Sequence, residues 1–366
     1  MSTTPPLRPI RPARHARFLD DVQLADLRAA TLEILEDVGV HCPSQAVRRL
    51  YAEHGAPVDE AREVVRLPAD LVVGAMARAP RGYVMGARDP DFDLVLDGTA
   101  LYVATDGCGI EVQEPDGSRR ASAAADVATA ARLADAIPAV GFYWPMLSAQ
   151  DHPLTAPLHE LLASYPNTVK HVQTETVMGA RPAAYAVEMA RVLAGDEATL
   201  RARPPLSALV CTIAPLAQDD AGMEGALVLA EAGIPVGFMS MATAGSTGPA
   251  TIPGTVVAGD AEIVAALTLV QLVHPGAPVF HSLMPGIMHP HTGGYLGTAW
   301  EGTLMYAAGV ALAHRWGVPA LAGVFGTDAM VPGWQSAGDA ASSLMLCALA
   351  GAETGAGLGL VGRRLL

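Results

Sequence analysis

One stretch of the sequence decides the fold, and it covers residues 234–282: IPVGFMSMATAGSTGPATIPGTVVAGDAEIVAALTLVQLVHPGAPVFHS. Residues 234–241 form a short apolar run that is typical of a buried parallel strand. A loop rich in Gly, Ser, Thr and Pro follows, Asp260 is then predicted to cap an apolar helix, and residues 277–281 begin another strand. In parallel α/β folds the loops that follow the strands hold the chemistry, so this long loop indicates a site.

The alternation of strand, loop and helix extends outward from this unit over most of the chain. The predicted strands are residues 101–105, 140–144, 168–175, 206–213, 235–241, 278–283, 320–325 and 356–360. The predicted helices between them are Ala-rich and amphipathic, for example 123–137, 182–193, 221–232, 298–316 and 335–350. Eight strands that alternate with helices predict an α/β fold of the (β/α)8, or TIM barrel, type. A doubly wound sheet is the alternative, which the lack of GxGxxG after the first strand disfavours.

The first part of the chain has a different organisation. Residues 1–17 are rich in Pro and Arg and are predicted to form an extended arm. Asp20 or Asp21 is predicted to cap a helix that continues to Val38 and stops at Gly39. Further predicted elements are helices over 44–54 and 68–78 and a hairpin over 83–96. We therefore predict a helical and hairpin cap over the pocket, residues 1–95, and a barrel domain, residues 96–366.

Composition and charge restrict the classes of partner. Of the 366 residues, 51% are hydrophobic and 16% are charged, which is enough apolar material for a large core. The net charge of −14 argues against nucleic acid and anionic membranes as partners. The 4 cysteines form no CxxC pair, and neither a signal peptide nor a run long enough to span a bilayer is evident, so we predict a cytoplasmic location.

Four segments resemble one known family. They are LRAATLEILEDVGV (27–40), YPNTVKHVQTE (165–175), GSTGPATIPGTVVAGDAEIVAALTLVQLVHPGAPV (245–279) and RWGVPALAGVFGTDAMVPGWQSAG (315–338). In the same order along the chain, they are similar to the trimethylamine methyltransferase family. The resemblance implies a TIM barrel that removes a methyl group from a methylated amine. It also implies that the acceptor is the Co(I) corrinoid, a cobalamin, of a small separate corrinoid protein.

The sequence departs from part of that family at two places. Pyrrolysine-bearing members carry that residue just before the TDA motif, where this chain has Phe325 and Gly326. The chain therefore resembles the non-pyrrolysine branch, in which quaternary amines such as glycine betaine are substrates. The sequence also ends at Leu366, after the eighth predicted strand, where relatives continue through a closing helix. We expect uncovered apolar surface there, and with it a homo-oligomer or poor solubility.

Two further expectations concern cofactors and metals. The chain lacks a DxHxxG motif of the kind found in corrinoid-binding loops, so no cofactor is expected to bind tightly. The corrinoid is expected on the partner protein instead, and a methylated amine is the expected small molecule. No metal site is predicted, because the spacing of His281, His289 and His291 matches no recognised zinc pattern.

Aromatic side chains are the first candidates for binding a quaternary cation. An aromatic face attracts such a cation by roughly 1–2 kcal/mol when water is excluded. The candidates lie near strand ends or in the following loops: Tyr143, Trp144, Phe238, Tyr295, Phe325 and Trp334. Packing in the core is the alternative role for each of them.

Polar candidates lie at the strand ends as well. His171, Gln173 and Glu175 alternate along the third strand and therefore share one face. With His281 at the end of the sixth strand, they are the predicted catalytic residues, and a hydrogen-bonded core network is the alternative. Further predicted substrate-binding residues are Asp106, Lys170 (the only lysine), Glu301 and Asp328, of which Asp106 and Asp328 could instead be helix caps. For a betaine, Lys170, His171 or His281 is expected to bind the carboxylate.

Three functions are compatible with these residues. The first is a methyltransferase that moves a methyl group from a methylated, quaternary amine to a corrinoid. The second is a barrel lyase or hydrolase with His171 and Glu175 as an acid–base pair. The third is a non-catalytic relic that binds methylated amines. Methyl transfer to cobalamin separates the first from the third.

Overall fold

Eight parallel strands follow one another along the chain, as the alternating pattern predicts. The structure is a computed structural model that describes residues 4–114, 116–361 and 364–365. The strands are β1 (Tyr102–Thr105), β2 (Val140–Tyr143), β3 (His171–Thr174), β4 (Leu206–Cys211), β5 (Val236–Ser240), β6 (Val279–Leu283), β7 (Leu321–Gly323) and β8 (Thr354–Leu358).

The eight strands close into a barrel. Hydrogen-bonded neighbours follow the order β6, β5, β4, β3, β2, β1, β8, β7. The ring closes between β6 and β7, where His281 pairs with Ala320 and the N–H of His281 donates to the Pro319 carbonyl at 2.9 Å. The predicted barrel is therefore confirmed, and each predicted strand overlaps an observed one.

Helices precede the barrel and fill the connections between its strands. They are α1 (Asp21–Glu33), α2 (Gln45–Glu53), α3 (Ala69–Met76), α4 (Ala124–Ala136), α5 (Ala156–Ser164), α6 (Ala180–Ala194), α7 (Glu197–Ala202), α8 (Asp220–Glu231), α9 (Ile252–Val273), α10 (Trp300–Trp316) and α11 (Trp334–Ala350). A π-helical turn, Ile34–Val38, extends α1 to Gly39, so the first helix has the predicted limits.

The helix predicted to begin at Asp260 begins earlier. α9 starts at Ile252, where the side chain of Thr251 caps it. Asp260 lies inside the helix and is fully buried, so its predicted role as a cap is wrong. Its carboxylate accepts hydrogen bonds from side chains on three other elements, namely Thr31, His281 and Trp316. A pattern read along one segment could not show partners that come from elsewhere in the chain.

Among the described helices, α9 alone is long and apolar enough to cross a membrane. It is a core helix in this fold, since 94% of its most apolar window is buried. It packs against the barrel strands β5 and β6 and against the N-terminal helices α1 and α3. The N-terminal helices therefore complete the core around α9.

The N-terminal hairpin closes one end of the barrel. The strands Tyr83–Met85 and Leu94–Leu96 form this predicted hairpin. Beside it, the N–H of Gly86 donates to the Pro204 carbonyl, and the Gly86 carbonyl bonds to the ring of His171. Both contacts lie at the amino ends of β4 and β3. The segment therefore closes the end opposite the long loops, whereas the sequence analysis placed it over the pocket.

Large apolar side chains fill the barrel interior. An inward-facing cluster includes Phe142, Leu209, Met239 and Phe280. Gly237 on β5 makes room for one of these rings, because a Cβ at that position would come within 2.1 Å of the Phe280 ring. The packing of this layer thus depends on the lack of a side chain at one position.

Replacing Gly237 with alanine is expected to lower the free energy of unfolding by about 1–3 kcal/mol, the usual cost of forcing an extra methyl group into a packed core. Urea unfolding followed by circular dichroism measures the change. Gly74→Ala is the matched control, because Gly74 is exposed on α3 and no described atom lies within 4 Å of a Cβ there. That variant should gain about 0.5–1 kcal/mol. Equal stability of the two variants would contradict the packing described for β5.

Candidate active site

A cavity of about 340 Å³ lies at the carboxyl ends of the barrel strands. Each strand contributes lining residues at or just after its end: Asp106, Gly107, Trp144, Glu175, Cys211, Met239, Met241, Met284, Gly323, Val324, Ala356 and Gly357. The rest of the lining comes from the loops after β6 and β7 and from α10 and α11: Tyr295, Gly297, Thr298, Thr303, Tyr306, Gly326, Thr327, Asp328 and Ser343. The barrel fold thus brings distant parts of the chain to one concave site.

The charge of the lining is one-sided. Three carboxyl groups face the cavity, those of Asp106, Glu175 and Asp328. Among the described residues that line it, none is Lys, Arg or His. A site with this lining attracts positive charge and repels negative charge.

Glu175 is the most perturbed of these carboxyl groups. Burial, with further contributions from the carboxyl groups of Asp106 and Glu160, raises the pKa of Glu175 to about 8. Glu160 is buried behind the cavity on α5, where it accepts a hydrogen bond from Ser148 at 2.7 Å and another from Thr176. Within the described part of the chain, the Glu175 carboxyl group has no such donor. A cation in the cavity would therefore stabilise its ionised form more than the protein itself does.

Asp106 and Trp144 lie next to each other on the cavity wall. Burial raises the pKa of Asp106 to about 6, although a hydrogen bond of 3.0 Å from the N–H of Gly107 lowers it. Gly107 also lies against the indole, since a Cβ there would come within 2.1 Å of Trp144 Nε1. Glycine at this position therefore lets Trp144 pack beside the carboxylate and present its ring to the cavity.

Asp328 organises the loop that forms another wall. Its carboxylate accepts hydrogen bonds from the N–H groups of Gly297 and Thr298 and from the Thr298 hydroxyl at 2.9 Å. The Tyr306 hydroxyl donates to the Gly297 carbonyl at 2.8 Å. These bonds hold together the loop that carries Tyr295 and the first turns of α10, so two tyrosine rings face the cavity.

A sulfur-rich wall was missed by the sequence analysis. It consists of Cys211, Met239, Met241 and Met284, which end or follow β4, β5 and β6. Thioether side chains are flexible and polarisable, and they adapt to ligands of irregular shape. Their position at strand ends was the available signal, but a methionine side chain carries neither a charge nor an aromatic ring that would distinguish it from a core residue. Tyr306 was missed because it lies two turns into α10 rather than near a strand.

Of the predicted catalytic residues, Glu175 alone lines the cavity. His171, Gln173 and Glu175 do share one face of β3, but the first two lie deeper in the barrel. His171 is fully buried, with its ring nitrogens bonded to the Gly86 carbonyl and to Ser207 at 2.8 and 2.9 Å. Burial lowers the pKa of His171 to about 4, so the ring is neutral at pH 7. The structure thus places His171 and Gln173 in the hydrogen-bonded core network that was the alternative.

His281 and Lys170 point away from the cavity. His281 bonds to Asp260 of α9 at 2.9 Å, on the outer side of β6. The Lys170 ammonium donates to the carbonyls of Ala134 and Ile137 at the end of α4, both at 2.8 Å. Burial lowers the pKa of Lys170 to about 8. Neither of these predicted site residues lines the cavity.

Four other predicted residues also lie outside the lining. Tyr143 donates to the Val127 carbonyl of α4, and Phe238 belongs to the core between the barrel and the helices. Phe325 packs against the same core with a backbone φ of 60°, a left-handed conformation that is rare for a residue with a bulky side chain. Trp334 is 96% exposed. Because side chains alternate along a strand, Tyr143 and Phe238 point outward toward the helices. Their position near the end of a strand did not indicate this direction.

Glu301 and His291 are exposed, and His289 is half-buried. Glu301 lies in the first turn of α10 without reaching the cavity. His289 and His291 lie in the loop after β6, with ring centres 5.8 Å apart. Among the described residues, no group of three or more His, Cys, Asp or Glu side chains is arranged to hold a metal ion.

Comparison with known proteins gives one consistent result. The family model described as trimethylamine methyltransferase (MTTB) matches residues 3–356. Trimethylamine methyltransferase MttB of Desulfitobacterium hafniense is 33% identical over 345 residues, which is 93% of this chain and 69% of the relative. The glycine betaine methyltransferase of the same species, strain Y51, is 29% identical over 337 residues, 91% of this chain and 70% of that protein.

Solved structures agree on the fold. The monomethylamine methyltransferase MtmB of Methanosarcina barkeri superimposes with a TM-score of 0.59 at 12% identity, covering 96% of this chain and 78% of MtmB. A hydroxylamine complex of MtmB gives the same TM-score at 13% identity. At such low identity the likeness supports the barrel architecture alone.

Proposed function

The chain belongs to the trimethylamine methyltransferase family, and on that basis we propose that it takes a methyl group from a methylated ammonium cation held beside Asp106 and Glu175. One observation carries the choice of this site. The cavity at the strand ends presents carboxyl groups and aromatic rings, and no described basic side chain lines it. A permanent cation is the ligand that such a lining stabilises best.

Carboxyl groups and aromatic rings have different roles in this site. Glu175 and Asp106 offset the positive charge, while Trp144, Tyr295 and Tyr306 provide faces for the methyl groups. The walls exclude water, which strengthens each of these contacts. Binding in one orientation aligns an N–CH3 bond with the acceptor, and alignment is the main contribution a protein makes to a direct displacement.

A quaternary amine suits this lining better than a neutral one. Displacement at the methyl carbon of a quaternary ammonium breaks the C–N bond, and the electron pair leaves with nitrogen as a neutral amine. No proton donor is therefore needed. This agrees with the position of His171, which lies below the cavity with both ring nitrogens bonded to the protein.

A Co(I) corrinoid on a separate protein would supply the nucleophile, in line with the family resemblance. The surface beside the cavity fits a docking partner, because exposed apolar side chains follow Asp328 directly in the chain. Met330 is 66% exposed, Val331 68% and Trp334 96%. Exposed apolar groups in one segment are typical of interaction surfaces. We also propose that the chain itself retains no corrinoid and works in the cytoplasm, where its 4 free cysteines would stay reduced.

The alternative of a lyase or hydrolase depends on His171 and Glu175 acting as a pair. They lie at opposite ends of β3, roughly 13 Å apart at the usual rise per residue in a strand. No single substrate atom can exchange protons with both. A protein that only binds methylated amines would have the same cavity lining. An assay of methyl transfer distinguishes such a binding protein from a methyltransferase.

Binding of choline and of its uncharged isostere 3,3-dimethylbutan-1-ol tests the proposal. The two molecules have the same shape and differ by one positive charge. Isothermal titration calorimetry at pH 8 should give choline an affinity at least about 30-fold higher, the effect of a buried charge pair of about 2 kcal/mol. Equal affinities, or no binding of choline, would contradict the proposed site.

The affinity for choline is expected to rise as the pH increases from 6 to about 8 and then to level off. Because the pKa of Glu175 is raised to about 8, the free protein holds this proton at pH 7, and the bound cation displaces it. Each pH unit below 8 should therefore lower the affinity by up to about tenfold, with about one proton released. Titrations in phosphate and in Tris at pH 7 count that proton through the different buffer heats. Identical heats in both buffers would contradict the assignment.

A further inference from the structure

We infer that the cavity selects methylated ammonium ions that carry no carboxylate, so that betaines are excluded although a glycine betaine methyltransferase is among the relatives. The inference rests on the proposed function and concerns the same site. It follows from the groups that a carboxylate attached to the cation would meet in the cavity. A betaine brings a negative charge a few bonds from its nitrogen, and that charge must find a partner in the same cavity.

The basic groups that could bind a carboxylate are engaged elsewhere. Lys170 donates to the last carbonyls of α4, on the far side of the strand. His171 is bonded within the barrel, and His281 is bonded to Asp260 outside it. None of these three residues lines the cavity.

The hydroxyl groups in the lining are also committed to protein acceptors. Five of them donate as follows: Thr298 to the Asp328 carboxylate, Thr303 to the Ala299 carbonyl, Tyr306 to the Gly297 carbonyl, Thr327 to the Asp339 carboxylate at 2.7 Å and Ser343 to the Asp339 carbonyl. The indole N–H of Trp144 has no described partner, but it is covered by the backbone of Gly107 rather than open to the cavity. A carboxylate would therefore lose its hydration without gaining donors of comparable strength.

Charge adds to this loss. The cation is held by Asp106 and Glu175, and a betaine carboxylate in the same small space lies close to both. Two like charges held close together lower the affinity of the ligand strongly. Burying its carboxylate without a partner lowers the affinity further. A hydroxyl or an ester at the same place carries no charge and avoids both penalties.

Glycine betaine and its methyl ester are the direct comparison, because they share the trimethylammonium group and differ in the charge of the carboxyl group. Titration calorimetry of the wild-type chain at pH 8 should show the ester, and choline, binding at least about 30-fold more tightly than the betaine. The double variant Asp106→Asn/Glu175→Gln should reduce this ratio to below about tenfold. Glu53→Gln, an exposed carboxylate on α2, should leave it unchanged.

Each outcome has a definite meaning. A betaine affinity equal to or above that of the ester overturns this inference and leaves the proposed function standing. Failure of choline, ester and betaine to bind at all overturns both. The wild-type comparison needs no variant, so a misfolded double variant cannot leave the question open.

Discussion

Replacing Glu175 with glutamine is expected to weaken choline binding at pH 8 by at least about 30-fold and to abolish its dependence on pH between 7 and 9. The change removes one negative charge from a partly buried site while keeping the size of the side chain. Loss of one partner from such a charge pair costs about 2 kcal/mol or more. The raised pKa of Glu175 is the source of the pH dependence, so the amide removes that too.

Stability provides the check that this variant is folded. The pKa of Glu175 is higher in the folded chain than the usual value of about 4.3. The carboxyl group therefore contributes stability that is complete below about pH 4 and is lost as the pH rises through about 8. Glu175→Gln should consequently unfold at a higher temperature than the wild type at pH 9. Glu53→Gln is the matched surface control, expected to change affinity less than twofold. Unchanged choline affinity in a folded Glu175→Gln protein would rule out this carboxylate as the cation partner.

Replacing Trp144 with leucine is expected to weaken choline binding by about 10- to 30-fold. The indole is 2% exposed and forms the wall beside Asp106, and a desolvated cation–π contact contributes about 2 kcal/mol. Trp144→Phe keeps an aromatic face and should lose only about three- to fivefold. A graded loss in the order Trp, Phe, Leu identifies the ring face as the contact.

The matched control for this series is Trp334→Leu, since Trp334 is exposed on the surface and does not line the cavity. Its choline affinity should stay within twofold of the wild type. Titration calorimetry measures all of these variants, with thermal unfolding to confirm that each is folded. If Trp334→Leu loses more affinity than Trp144→Leu, the cation binds elsewhere on the chain.

The architecture could be predicted because it is repeated. Eight barrel strands and the helices in the seven connections between them repeat one apolar pattern, so an error at one end of a strand does not change the fold. The rule that chemistry follows the strands also led to Asp106, Trp144 and Glu175, each the first or second residue after a strand. The end of a strand can be located from the residues next to it in the sequence, so these three residues could be predicted.

The direction in which a side chain points was harder to predict. His281 lies in the middle of β6, but it faces outward because Asp260 of α9 lies on that side of the strand. Lys170 precedes β3 and bonds to α4, a helix from an earlier cycle. These partners are distant in sequence, so the local pattern could not distinguish a pocket residue from one that stabilises the packing of helices on the barrel.

The position predicted for the N-terminal hairpin was wrong for a similar reason. The sequence predicted the helices and the hairpin of this segment, but not that the helices pack against α9 while the hairpin covers the amino ends of the strands. The position of the hairpin is fixed by contacts such as Gly86 with Pro204 and His171, which join residues far apart in the chain. The consequence is functional, because the cavity at the other end is left accessible to a partner.

The central claim is that the cavity holds a methylated ammonium ion as a methyl donor, and transfer of labelled methyl groups tests it most directly. Choline labelled with ¹⁴C in its methyl groups is incubated with the chain and free Co(I) cobalamin under anaerobic conditions. The account predicts that radioactivity appears in the corrinoid fraction, and that Glu175→Gln lowers the rate at least about 30-fold while Glu53→Gln does not. Transfer at the wild-type rate by the Glu175→Gln variant, or tight binding of choline without any transfer, would contradict it.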